Sequence, residues 1–164
     1  MSLIVREGTT ILDFTFQDLM KYHGPGFPGG VAHGYTAMQV ALPQLAPDVQ
    51  RREVHVRTAF RGPGGRDANE MVLRAVTGER YIVTPELEKP ERGVVLERYV
   101  WEFSYRGNTV TVQLRDGGFV IEEFIALGRK PDRTAAEEAH LTQLKQEMTE
   151  RLLRKDATEV YEIV

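Results

Sequence analysis

The sequence predicts an α+β domain: a mixed or antiparallel sheet of about four strands, helices packed on one face, and a C-terminal helix. Three observations predict it. Tyr99, Trp101, Phe103 and Tyr105 alternate with Val100, Glu102 and Ser104, and Val110, Val112 and Leu114 alternate with Thr109, Thr111 and Gln113 across Arg106-Gly107-Asn108. Two period-two runs around a short glycine-containing loop define a β-hairpin. Helical patterns with cap residues interrupt the strand patterns, and only two parallel connections are available, which favours α+β over a doubly wound sheet. Residues 1–130 read as the body and 131–164 as a helix and tail for packing or dimerisation, divided at Lys130-Pro131-Asp132-Arg133.

The elements follow in order. Leu3 to Glu7 is an extended or loosely held terminus. Thr15 with Asp18 has capping-box spacing, and Phe14 and Leu19 are placed as a hydrophobic staple. That helix stops at Gly24-Pro25-Gly26, and a glycine-rich bend to Gly30 leads into a helix ending near Gln44. Val54, Val56, Thr58 and Phe60 alternate with Glu53, His55, Arg57 and Ala59, as in a half-buried strand over 52–60. Arg61-Gly62-Pro63-Gly64-Gly65 reads as a turn, and Asp67 with Glu70 as the start of the next helix, with Gly78 past its end. Tyr81 to Val83 is a short buried strand within 80–84, Pro85 to Gly93 a charged loop, and 95–105 and 108–115 the hairpin. Phe119 to Leu127 fits a helix. Thr134 with Glu137 caps a helix reaching Arg154, whose stripe of Leu141, Leu144, Met148 and Leu152 is narrow enough to be a packing seam. The seam docks on its own domain or on a second protomer, and a homodimer is expected from it. Val160 to Val164 has the composition of an edge strand.

Composition restricts the chemistry. The 164 residues carry a formal charge of −3, against bulk attraction to nucleic acid or an anionic membrane surface. No apolar run approaches the roughly 20 residues that span a bilayer. No leader pattern opens the chain, so a cytoplasmic location is expected. There is no cysteine, which removes disulfides, thiolate metal sites, iron–sulfur clusters and thiol nucleophiles. Gly62-Pro63-Gly64-Gly65 lacks the Lys-Ser/Thr of a phosphate-binding loop, and no Gly-x-Ser-x-Gly is present.

The most informative segment is Lys21 to Tyr35, which joins His23 and His33 through Gly24, Gly26, Gly29 and Gly30. Free amides at the start of a helix favour an anion, and glycines let a ligand approach the backbone. Gly24, Gly29 and Gly30, with Arg61 and Arg66 beside the second glycine turn, are candidate ligand-binding residues; Arg57 flanks the same turn. His23 and His33 are candidate metal ligands, with Asp18, Asp67 or Glu70 as an oxygen donor to zinc or another divalent metal. The plain alternative is a tight interhelical turn with satisfied histidines. No residue stands out as catalytic.

The same segment resembles the formylmethanofuran dehydrogenase FmdE-like family. His23-Gly24 and Pro28-Gly29 stand where the family's His-Gly-His-x-Cys-Pro-Gly signature has its first His-Gly and its Pro-Gly, and Gly34-Tyr35 opens the second helix in a similar way. Arg66 to Met71 with Val76-Thr77-Gly78 resembles the family's second helix segment, which ends in Leu-Thr-Gly, and the Tyr99 to Tyr105 hairpin is also similar. The resemblance covers residues 13–129. It implies the α+β fold of that family, described as related to the catalytic domain of glyceraldehyde-3-phosphate dehydrogenase, and a metal site. The chain departs from the signature at Pro25, where the second His would fall, and at Phe27, where the Cys would fall. A later family Cys falls near Ala68 or Asn69. Thiolate zinc binding therefore does not carry over. The expected function is binding of a metal or a small anionic ligand at the His23–His33 segment. The alternatives are a metal- or His-dependent enzyme on a small anionic substrate and a non-catalytic accessory or assembly protein.

Overall fold

The computed structural model covers residues 1–164 and is built around one helix. Its strands are β1 (Leu3–Glu7), β2 (Thr10–Phe14), β3 (His55–Thr58), β4 (Tyr81–Val83), β5 (Val100–Tyr105), β6 (Asn108–Leu114) and β7 (Tyr161–Ile163). Its helices are α1 (Phe16–His23), α2 (Pro28–Leu45), α3 (Pro63–Leu73), α4 (Glu122–Arg129), α5 (Ala135–Leu153) and the single turn α6 (Ala157–Val160). The main sheet has the order β4-β3-β5-β6-β7, parallel between β3 and β4 and antiparallel elsewhere. β1 and β2 form a separate hairpin.

Strand alternation sets the two faces of the sheet. Trp101, Phe103 and Tyr105 of β5 are buried, as are Val112 and Leu114 of β6 and Val56 of β3. Trp101 pairs across Thr58 and Val112, and Phe103 across Val56 and Val110, so these side chains share one face. The other face carries Arg57, Glu102, Ser104, Thr109 and Gln113, and Arg57 is paired there with Glu102 and Glu86. The apolar face needs a cover, and α2 supplies it. Val31, Ala32, Tyr35, Ala37, Met38, Val40, Ala41, Leu42 and Leu45 are all buried, so α2 is apolar around most of its circumference. It lies on β5, β6 and β7 and is itself wrapped by α1, α3 and α5.

Several expectations need revising. Of the two readings of Leu3 to Glu7 the extended one holds: it is strand β1, paired with β2, and Gly8 at φ +63° closes the hairpin. The main sheet has five strands rather than about four, the fifth being β7 at the edge beside β6, where the composition of Val160 to Val164 placed an edge strand. β4 is an edge strand with Ile82 and Val83 exposed, not a buried one. α3 starts at Pro63, so Arg61 to Gly65 is not a free turn, and it ends at Leu73 with Arg74 in the left-handed region. α4 starts at Glu122, three residues past the expected Phe119. The apolar stripe of α5 (Leu141, Leu144, Met148 and Leu152) is buried within this chain, with α5 lying along α2. No helix is long and apolar enough to cross a membrane.

Candidate functional site

The glycine-rich segment is a helix junction. α1 is closed by Gly24 at φ +85°, with its amide bonded to the Met20 carbonyl. α2 then starts within four residues and crosses the first turn of α3 at backbone contact. A Cβ on Gly64 would lie 2.6 Å from both the Phe27 carbonyl oxygen and the Val31 amide nitrogen. One on Gly30 would lie 3.2 Å from the Gly64 Cα. The other side of the junction is closed by α5, since a Cβ on Gly29 would collide with the Met148 methyl. The glycines that read as a ligand cradle are therefore filled by two helices of the same chain. Gly24 itself faces open space.

Each expected ligand side chain already has a partner, although the His33 Nε2 has none. His23 Nδ1 lies 2.7 Å from Asp67 Oδ2, and its Nε2 accepts the Phe27 amide at 3.2 Å. The imidazole thus ties the end of α1 to α3 and to the bend. His33 is fully buried on α2, and its Nδ1 is 2.7 Å from the Tyr161 hydroxyl. Rings of Phe60, Tyr99 and Tyr161 surround it, the nearest with its centroid at 4.5 Å. Burial pushes the His33 pKa down to about 3, so the ring is neutral at physiological pH. Asp18 is spent in the α1 capping box. Burial raises the Glu70 pKa, but hydrogen bonds from the Thr77 hydroxyl and the Thr77 and Val76 amides outweigh it, and the net shift is downward. A divalent metal at His23 would displace either Asp67 or the Phe27 amide, and one at His33 would have to enter an aromatic box. No group of three His, Asp or Glu side chains is gathered where it could hold a metal ion.

The arginines divide. Arg57 is held on the outer sheet face and Arg66 is exposed on α3. Arg61 meets two arginines that the sequence did not single out, Arg98 just before β5 and Arg129 at the end of α4. Together they rim a cavity of about 190 Å³ whose walls include Phe60, Tyr99, Phe124 and Ile125. The walls are fixed from beneath. The Thr58 hydroxyl donates to the Val100 carbonyl at 2.7 Å and accepts the Phe60 amide at 3.0 Å. Phe60 packs on Tyr99 at 5.5 Å and on Trp101 at 5.0 Å between ring centroids. Tyr99 in turn rests on His33, and burial raises its pKa, so its phenol stays neutral.

Two carboxylates share the rim. Glu88 meets Arg61 at 2.6 Å and Arg98 at 3.3 Å, and Glu97 meets Arg129 at 3.5 Å and Arg98 at 3.9 Å. Three guanidiniums against two carboxylates leave one positive charge. Arg98 Nε is buried with no hydrogen bond, because neither carboxylate is aligned with it. The loop holding both glutamates is anchored: the Lys89 amide donates to the Glu97 carbonyl at 2.9 Å, and Arg92 donates to the Leu114 carbonyl at 2.7 Å. No protein-family model matches the chain, and no curated protein matches it.

Proposed function

We propose that this is a binding domain for a small monoanion with an apolar body, an aromatic or branched carboxylate, held in the cavity rimmed by Arg61, Arg98 and Arg129. The unsatisfied Arg98 N–H carries the reading. Buried donors are normally hydrogen-bonded, and this one has Glu88 at 3.3 Å without the alignment of a hydrogen bond. A carboxylate placed there would meet an idle donor and the one uncompensated charge, and its apolar body would lie on Phe60, Phe124 and Ile125. The cavity is below the roughly 300–1,000 Å³ of drug-sized sites, so the ligand has few heavy atoms. This reading keeps the small anion expected from the sequence and moves it from Gly24–Gly30 to the pocket of Arg61. It assigns no reaction and uses no metal.

Benzoate is a suitable probe. Titrated into isotopically labelled protein, it is expected to give saturable shifts at Arg61, Arg98, Tyr99 and Arg129. Benzyl alcohol, similar in shape but uncharged, should bind about tenfold or more weakly, the worth of one charge-assisted hydrogen bond. Equal binding of the two, or shifts centred elsewhere, would reject the reading.

A further inference from the structure

A second, larger cleft of about 670 Å³ lies where the chain's first residues, the start of α1, the middle of α2 and the α5–α6 connection meet. It shares no residue with the arginine-rimmed cavity. We propose that this cleft binds an uncharged, hydroxyl-rich ligand, a neutral sugar of one or two rings.

Thr36 is the first observation. It lies on α2, is 1% exposed, lines the cleft, and its Oγ1 has no hydrogen-bond partner. A helical threonine normally spends its hydroxyl on the carbonyl four residues back. Thr142 and Thr149 of α5 do so, on Glu138 at 3.0 Å and Lys145 at 2.8 Å. Thr36 forgoes that bond, so a donor or acceptor in the cleft is what would satisfy it.

The second observation is the balance of the lining. Gln17, Gln39, Thr36 and Thr158 supply neutral donors and acceptors, and the charged groups of the lining, Lys155, Asp156 and the Met1 amino group, are of both signs. Most of the polar groups that this wall offers a ligand are neutral. One amide hydrogen of Gln39 is used on the Met1 carbonyl at 2.9 Å, and no protein contact uses its side-chain carbonyl oxygen. Phe16 and Tyr35, edge to face at 5.9 Å, provide a ring surface for the apolar face of a sugar. The volume lies within the range of small-molecule sites.

The probes are glucose and maltose, with glucuronate and glucosamine as charged counterparts and adenosine as a neutral non-sugar. Binding is read from amide shifts of the full-length labelled protein. Saturable shifts at Thr36, Gln39 and Lys155 to Thr158 with a neutral sugar, weaker with both charged sugars, are the expected result. Thr36→Val, which keeps shape and removes the hydroxyl, should weaken binding by about tenfold. Gln17→Ala, at an exposed position of α1, should also weaken it and serves if Thr36→Val does not fold. No cleft shifts with either neutral sugar, tighter binding of a charged sugar or of adenosine, or unchanged affinity in the variants would overturn the proposal.

Discussion

Acid should loosen this fold through His33 before it reaches the carboxylates. The imidazole is fully buried on α2, and burial lowers its pKa from 6.5 to about 3. The unfolded chain takes up the proton near pH 6.5, whereas the folded protein refuses it until about pH 3. The stabilisation from keeping the ring neutral is therefore complete above the unfolded pKa and is lost as pH falls through this interval. At about pH 5 the loss amounts to about 2 kcal/mol relative to neutral pH. That is a large part of a typical domain stability of about 5–15 kcal/mol. Urea denaturation across about pH 5 to 7 reads it as a midpoint shift of about 1 M. In His33→Phe the other titrating groups remain, so the difference between the two pH profiles isolates this ring. The variant should be less stable at neutral pH, because Tyr161 loses its partner, and should lose about one proton from the pH slope. Identical slopes would refute a buried neutral histidine.

Other consequences concern packing. Gly64→Ala should destabilise by about 3 kcal/mol, because the new methyl meets backbone atoms of Phe27 and Val31 that cannot move aside. Gly128→Ala, which meets nothing within 4 Å, should stabilise by up to about 1 kcal/mol; chemical denaturation of both checks the opposite signs. Asp67→Ala should lower stability by about 2 kcal/mol by freeing the His23 imidazole, without weakening benzoate binding; a loss of affinity instead would return the site to the glycine junction. Leu152→Ala should lower stability by about 3 kcal/mol and leave the sedimentation coefficient unchanged, since the α5 stripe is buried against the same chain; dissociation of an oligomer would assign it to an interface between protomers.

Local patterns disclosed the elements whose causes are local. The β5–β6 hairpin follows from alternation around Arg106-Gly107-Asn108, and α1 and α5 start where Thr15–Asp18 and Thr134–Glu137 form capping boxes. The α+β class followed from these. The start of α3 was hidden because Gly-Pro-Gly-Gly has the composition of a turn. Its glycines serve a contact with α2 some thirty residues earlier, and Asp67, which looked like a cap, serves His23. The hairpin of β1 and β2 was missed because Gly8 offers the only turn signal in a short polar linker. At the candidate site, Arg61 was legible beside its glycine turn. Arg98 and Arg129 were not, because the sheet and α4 bring them to Arg61 from distant parts of the chain and neither stands in a motif that marks a site.

Calorimetric titration of benzoate into the wild-type chain and into Arg98→Met tests the central claim most directly. Saturable binding to the wild type, weakened by added salt, and at least about a tenfold loss in the variant with its fold intact are the expected result. Equal affinity in the two proteins, or none in either, would contradict it.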